Sequence, residues 1–191
     1  MINLIDNFYE KNNLGLVTIN FINLHFNESF QSQNNYYGGD RLLAYPTYET
    51  ANFKKSDFLY DVLKNTLEEK IKIKPLNIET FLRKTKLSEC KKSPSWKQYK
   101  PHQDSEFFDL AGLVYFNSNH LKDGTFIFNS EKDFEPTVIV GSKYNRCVIY
   151  GTDVWHSPSM EQNVEERWTQ PFFIIYKEKT YKKYLNNKNE T

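Results

Sequence analysis

The chain has 191 residues, with 25 basic against 24 acidic side chains and a formal net charge of +1. That length suits one domain able to bury a core without disulfide staples, and the balanced charge argues against a protein whose main task is coating nucleic acid. An aromatic share of 16% excludes wholesale disorder, and seven Gly with seven Pro exclude a collagen-like or linker-dominated chain. No apolar run approaches the roughly 18–20 residues of a membrane span, and Met1–Asp6 lacks the basic and apolar regions of a signal peptide. Cys90 and Cys147 are too far apart in sequence to suggest a disulfide framework or a zinc cluster. The expectation is a soluble, cytoplasmic protein of one domain.

In chain order, the opening third reads as irregular and rich in Asn and aromatics, apart from one helix. Between Ser56 and Lys72, Phe58, Leu59, Val62, Leu63, Leu67 and Ile71 recur at helical spacing. Ser56 or Asp57 can cap its start, and Pro75 stops it. Residues 1–75 are therefore assigned to a helical and irregular support that buttresses one sheet. From about residue 76 the pattern changes to short strands. Ile78–Leu82 and Trp96–Lys100 are candidates; Leu110–Phe116, Thr125–Phe128, Thr137–Val140, Arg146–Tyr150 and Arg167–Tyr176 are better ones, rich in aromatic and β-branched residues. Asn117-Ser118-Asn119, Asp123-Gly124, Gly141-Ser142 and Gly151-Thr152-Asp153 supply turn chemistry between them. Short strands at this spacing predict an antiparallel sandwich or small barrel over residues 76–178, mainly β with buttressing helices. Residues 179–191 read as a basic tail. A second basic run, Arg83, Lys84, Lys86, Lys91, Lys92, Lys97 and Lys100, is opposed only by Glu89. It reads either as solvated surface or as the border of a site that favours an anionic substrate.

Two of the four histidines fall where strands should end. His102 and Asp104 are two residues apart, so on an extended segment they point to the same side. His156 would join them from another strand. Two histidines and one carboxylate form the facial triad that holds non-haem Fe(II) and leaves coordination positions open. Arg167 opens the apolar strand Trp168–Ile174, and a cation there needs an anion, because an unpaired buried charge is costly. The planar guanidinium suits a carboxylate held by two hydrogen bonds. A salt bridge to Glu165 or Glu166 is the plainer alternative. His25, His120 and Cys147 read as ordinary surface or core residues; Trp155, Phe107 and Phe108 fit either packing or a cleft wall.

The order His102-x-Asp104, His156, Arg167 resembles the signature of the Fe(II)/2-oxoglutarate-dependent dioxygenases, most of all their prolyl 4-hydroxylase-like branch. Tyr99-Lys100-Pro101-His102-Gln103-Asp104 is similar to the branch's Y-x-P-H-x-D segment. Leu113–Asn117 resembles the strand that follows, Gly124–Phe128 the G-G-x-F-x-F strand, and Arg146–Tyr150 the strand before the distal histidine. Ile5-Asp6-Asn7-Phe8-Tyr9 is similar to the opening of small bacterial and phage members. The likeness covers residues 95–176 well and the N-terminal part thinly. Two departures stand out: Asp123-Gly124 replaces the double glycine, and Arg167 stands where many prolyl hydroxylases have Lys.

The resemblance implies a double-stranded β-helix, or jelly roll, with Fe(II) held by His102, Asp104 and His156. It further implies 2-oxoglutarate as cosubstrate, its distal carboxylate on Arg167 with Tyr115 and Thr169 as further donors, and Tyr99 as a pocket wall. O2 would be consumed, succinate and CO2 released, and an unidentified substrate hydroxylated, a peptidyl or free amino acid being favoured; ascorbate is a candidate reductant. One competitor shares the iron site but acts on nucleic acid. The basic run supports it, whereas the near-zero net charge and the absence of a second downstream arginine in the last strand oppose it. Another competitor is a jelly-roll binding module without turnover.

Overall fold

The computed structural model describes residues 2–30, 46–86, 88, 101–117, 120–160 and 165–190. Two antiparallel sheets form the body. The larger has eight strands, in the order β1 (Ile2–Ile5), β9 (Arg146–Gly151), β6 (Leu110–Tyr115), β11 (Glu166–Ile175), β5 (Arg83–Lys86), β3 (Pro46–Glu49) and β2 (Asn27–Phe30), with β4 (Asn77–Thr80) pairing β11 beside β5. The smaller runs β10 (Trp155–Met160), β7 (His120–Phe128) and β8 (Val138–Ser142). This is the double-stranded β-helix architecture that the resemblance implies, with helices outside it.

Period-two alternation builds two cores from the same strands. Ala111 and Tyr115 of β6, Val148 and Tyr150 of β9, and Val140 of β8 pack together between the sheets. Their neighbours Val114, Cys147 and Ile149, with Phe172 and Ile174 of β11, face the other way onto the helices. There they meet Val17 and Phe21 of α1 (Lys11–Asn23) and Leu59, Tyr60, Val62, Leu63 and Leu67 of α2 (Phe58–Ile71). Both faces of the large sheet are covered, which makes its central strands nearly continuous in buried residues.

Helix α2 lies inside the predicted Ser56–Lys72 segment. Asp57 is its N-cap residue, and Lys72 ends it in the left-handed conformation with φ 58°. The opening third is more regular than expected, since β1, α1, β2 and β3 all belong to it. In α1 the apolar positions Leu14, Val17 and Phe21 keep helical spacing, but Gly15 and four asparagines dilute the pattern. The start of the chain is tied into the barrel. Arg146 grips Asp6 with Nε to Oδ1 at 2.6 Å and Nη2 to Oδ2 at 3.1 Å, and Lys143 adds a contact of 2.7 Å. The Asn145 side chain exchanges two hydrogen bonds of 2.8 Å with the backbone of Tyr9.

Three expectations change. Asp123-Gly124 is not a turn: it lies within β7 at a register irregularity, where Gly124 has φ 157°. Gly141-Ser142 ends β8 rather than turning the chain. The segment expected as a basic tail forms helix α3 (Glu178–Glu190). Its start is pinned by the buried Asp109 carboxylate, which accepts hydrogen bonds from the N–H groups of Tyr176 and Lys177 and from the Thr180 hydroxyl. The candidate strand Trp96–Lys100 lies outside the described residues. No described helix is long and apolar enough to cross a membrane.

Candidate metal centre and anion pocket

The segment carrying His102 and Asp104 is extended and runs antiparallel to the start of β10. His102 N–H donates to the His156 carbonyl at 2.9 Å, and His156 N–H returns the bond to the His102 carbonyl at 2.8 Å. Asp104 N–H donates to the Thr152 carbonyl at 3.1 Å, while the Gln103 amide turns outward to the Asp153 carbonyl. Alternation therefore puts His102 and Asp104 on one side, as their spacing predicts. His156 enters from β10, directly opposite Ile127 of β7.

The ligand atoms of His102, Asp104 and His156 all lie within 4.8 Å of one another, a group that could hold a metal ion. His156 Nδ1–H is placed 3.0 Å from the Val154 carbonyl, which fixes that tautomer and leaves Nε2 with its lone pair facing the group. Nε2 is 3.5 Å from Asp104 Oδ2, a buried oxygen with no hydrogen-bond partner among the described residues. Burial pushes the Asp104 carboxyl above its usual range, while His156 and then Arg83 oppose the shift. An orphaned buried carboxylate oxygen beside two imidazoles is the donor set a divalent cation satisfies. Tyr150, whose ring centroid lies 4.6 Å from that of His156, closes the inner side, and burial holds its phenol well above the ordinary value.

Arg167 lies between the sheets, on the inward face of β11, and is 9% exposed. Neither Glu165 nor Glu166 pairs with it; Glu166 instead takes the Trp168 indole N–H. Among the described residues no carboxylate pairs with this guanidinium. Its Nη1 reaches only the Ser159 carbonyl, at 3.4 Å, and its Nε has no partner. The guanidinium carbon lies 5.3 Å from the Tyr115 ring centroid, and the Tyr115 hydroxyl shares a hydrogen bond of 2.7 Å with Thr125 Oγ1. Burial raises the Tyr115 phenol and Arg167 opposes it, so Tyr115 stays a neutral donor. Thr169 is buried two residues beyond Arg167 and in register with Tyr115. Three of the four expected anion contacts thus gather in one place; Tyr99 lies outside the described residues.

Sequence reasoning passed over Thr125, Val154 and Arg83. Thr125 was legible as the residue after Gly124 on an inward position, but its link to Tyr115 needed the sheet pairing. The Val154 carbonyl carries no side-chain signal at all. Arg83 was grouped with a basic surface, yet it is bound to Glu49 at 2.6 Å. Lys84 lies over the Phe26 and Trp168 rings, and Lys86 over Tyr48. The described cations of that run are therefore engaged within the fold; Lys91, Lys92, Lys97 and Lys100 lie outside the described residues. His25 is exposed and Cys147 is fully buried, as expected of surface and core residues.

No family model matches the chain, and no curated protein matches it in sequence. Solved structures do match in shape. A prolyl hydroxylase from Trichoplax adhaerens, in complex with a peptide fragment of the hypoxia inducible factor oxygen degradation domain, has a TM-score of 0.63 at 12% identity, over 94% of this chain and 84% of that one. A Pseudomonas putida prolyl-4-hydroxylase gives 0.56 at 9% identity, over 92% of each chain. HygX from Streptomyces hygroscopicus, with nickel and 2-oxoglutarate bound, gives 0.55 at 9% identity, over 91% of this chain and 82% of that one. At such identities the likeness concerns the fold alone, which this chain shares with these three structures.

Proposed function

We propose that this protein is an Fe(II)- and 2-oxoglutarate-dependent oxygenase, its metal held by His102, Asp104 and His156. The observation that carries the reading is a pairing of two unmet needs inside one barrel: a buried His-Asp-His group with an orphaned carboxylate oxygen, and a buried Arg167, neither of them met by a partner among the described residues. An iron(II) ion and a dicarboxylate cosubstrate would satisfy both. When bound, they would supply the oxidising chemistry, with O2 consumed and succinate and CO2 released.

Each residue then has a physical task. Arg167 would bind the distal carboxylate through charge-assisted hydrogen bonds, strengthened by exclusion of water between the sheets. Tyr115 and Thr169 would donate to the same carboxylate and fix its rotation. The Val154 carbonyl holds the His156 ring so that Nε2 is presented without reorganisation. Tyr150 keeps bulk water from the inner side of the group. Tyr99 would wall the cosubstrate pocket.

Hydroxylation of a peptidyl or free amino acid is the favoured outcome, supported by the shape likeness to two prolyl hydroxylases. The departure at Arg167 leaves proline itself open. The direct test is Fe(II)-dependent conversion of 2-oxoglutarate to succinate by the purified chain. Succinate formation that requires iron and is abolished by His156→Ala supports the proposal. Metal and 2-oxoglutarate binding without any turnover would favour a binding module instead.

A further inference from the structure

Beside Asp104 the surface opens into a cavity of about 360 Å³, bordered by Ser105, Glu49, Glu79, Phe81, Phe108 and Phe173. Its position follows from the strands. Ser105 is the next residue after Asp104 in the metal-binding group, and Phe173 projects from the same face of β11 as Arg167, six residues further along. Glu79 of β4 stands opposite Phe173 in register, and the Phe108 and Phe173 rings lie 5.2 Å apart. A ligand in this cavity would lie at the mouth of the barrel, with the metal-binding group on one side.

We propose that this cavity receives an ammonium group attached to a compact substrate, and that Glu49, Glu79 and the three phenylalanines select it; this rests on the oxygenase reading of the adjoining site. Two carboxylates line the cavity; their cations, Arg83 on Glu49 and Lys188 on Glu79, stand behind the lining rather than in it. They are sheltered, with side chains 14% and 27% exposed, so their field is less screened than that of surface carboxylates. Each meets its partners within the fold through one oxygen. Glu49 Oε1 takes Arg83 and Thr47, at 2.6 and 3.3 Å, and Glu79 Oε1 takes Tyr184 and Lys188, at 2.5 and 3.4 Å. None of these contacts among the described residues uses Oε2, which is the atom of each that would accept from a ligand.

The aromatic walls suit the same ligand. A cation over a phenyl face is attracted by the ring quadrupole, and more strongly when water is excluded. Phe81 already carries the Arg83 guanidinium 5.2 Å from its centroid, so cation contact is in use at the rim. An anionic substrate, the expectation raised by the basic run, would meet two carboxylates here instead.

The test uses the full chain loaded with Mn(II), and three probes that share one ring and differ in the head group: benzylamine, benzyl alcohol and phenylacetate. Loss of the free Mn(II) resonance reports metal uptake, and relaxation of the probe's ring protons reports binding beside the metal. Benzylamine should be relaxed at concentrations roughly tenfold or more below those needed for benzyl alcohol, the worth of a charge-assisted hydrogen bond. Phenylacetate should show no effect when 2-oxoglutarate fills the anion pocket. Glu79→Gln and Glu49→Gln, checked by circular dichroism, should each remove most of the benzylamine preference. Equal relaxation by the three probes, or a preference untouched by both substitutions, would overturn the proposal. The comparison on the wild-type chain decides even if a variant loses its fold. Absence of Mn(II) uptake would instead refute the metal reading. The cavity would then be judged by benzylamine-induced shifts of the Glu79 and Phe173 amide resonances, whose absence would refute it too.

Discussion

His102 and His156 exchange both backbone hydrogen bonds, at 2.9 and 2.8 Å, across a bridge that belongs to neither sheet, and their ring centroids stand 4.3 Å apart. Two ligands of the proposed metal site are thus registered by main-chain atoms rather than by the metal. His156→Ala should therefore remove the ligand and keep the bridge. Metal affinity should fall by more than the roughly 10–100-fold that loss of an outer partner costs, while the melting temperature of the metal-free protein changes little. Mn(II) titration and thermal unfolding check the two halves separately. Unchanged metal affinity would remove His156 from the site.

Arg167→Ala should weaken 2-oxoglutarate binding roughly ten- to hundredfold, the worth of a charge-assisted hydrogen bond. Metal affinity should be much less affected. Arg167→Lys should recover only part, because the ammonium keeps the charge and loses the planar fork. Titration of the metal-loaded protein with 2-oxoglutarate measures both. Unaltered binding in the Ala variant would make Arg167 structural.

The candidate site was more legible in the sequence than the fold around it, for a physical reason. The proposed metal and anion chemistry needs particular residue types, so His102, Asp104, His156 and Arg167 stand out as candidates wherever the chain places them. Secondary structure depends on which face is covered. Strand β5 reads Arg-Lys-Thr-Lys and looks like solvated surface, yet only Thr85 is fully buried and the flanking cations lie on rings or pair with Glu49. Strand β10 holds Pro158 among serines and gives no strand signal; an edge position in the small sheet tolerates the missing donor. Helix α1 was hidden by its asparagines, and α3 by its lysines, because what holds α3 in place is Asp109, far away in sequence.

Gly124→Ala should destabilise the small sheet. A Cβ at this position would lie 1.9 Å from the Val140 carbonyl oxygen, and the φ of 157° is one that L side chains rarely adopt. Backbone strain of this kind costs about 1–3 kcal/mol before any steric shift is added. Denaturant unfolding should show a loss of at least that size. A neutral result would mean that β7 and β8 pair differently here.

Asp6 sets a pH dependence. Hydrogen bonds from Arg146 and then Lys143 hold its carboxyl well below the ordinary carboxylate range. The folded state therefore releases this proton more readily than the unfolded chain. The resulting stability is fully present above the unfolded pKa, and is lost as pH falls through the folded value. Because 37% of the side chain is exposed, solvent screening limits the contribution to about 1 kcal/mol at most. Asp6→Asn should lower stability at pH 7 by up to that amount, and the gap to wild type should narrow below about pH 4. Chemical denaturation at several pH values checks it; a gap independent of pH would assign the effect to packing.

The most direct measurement is the visible absorption of the Fe(II)-loaded protein as 2-oxoglutarate is added without oxygen. Chelation of iron by the keto acid creates a charge-transfer band that neither component shows alone. The band should appear with wild type, be absent with His156→Ala, and require roughly ten- to hundredfold more 2-oxoglutarate with Arg167→Ala. No band with the wild-type chain at saturating iron and 2-oxoglutarate would contradict the assignment of His102, Asp104, His156 and Arg167 to one iron and 2-oxoglutarate site.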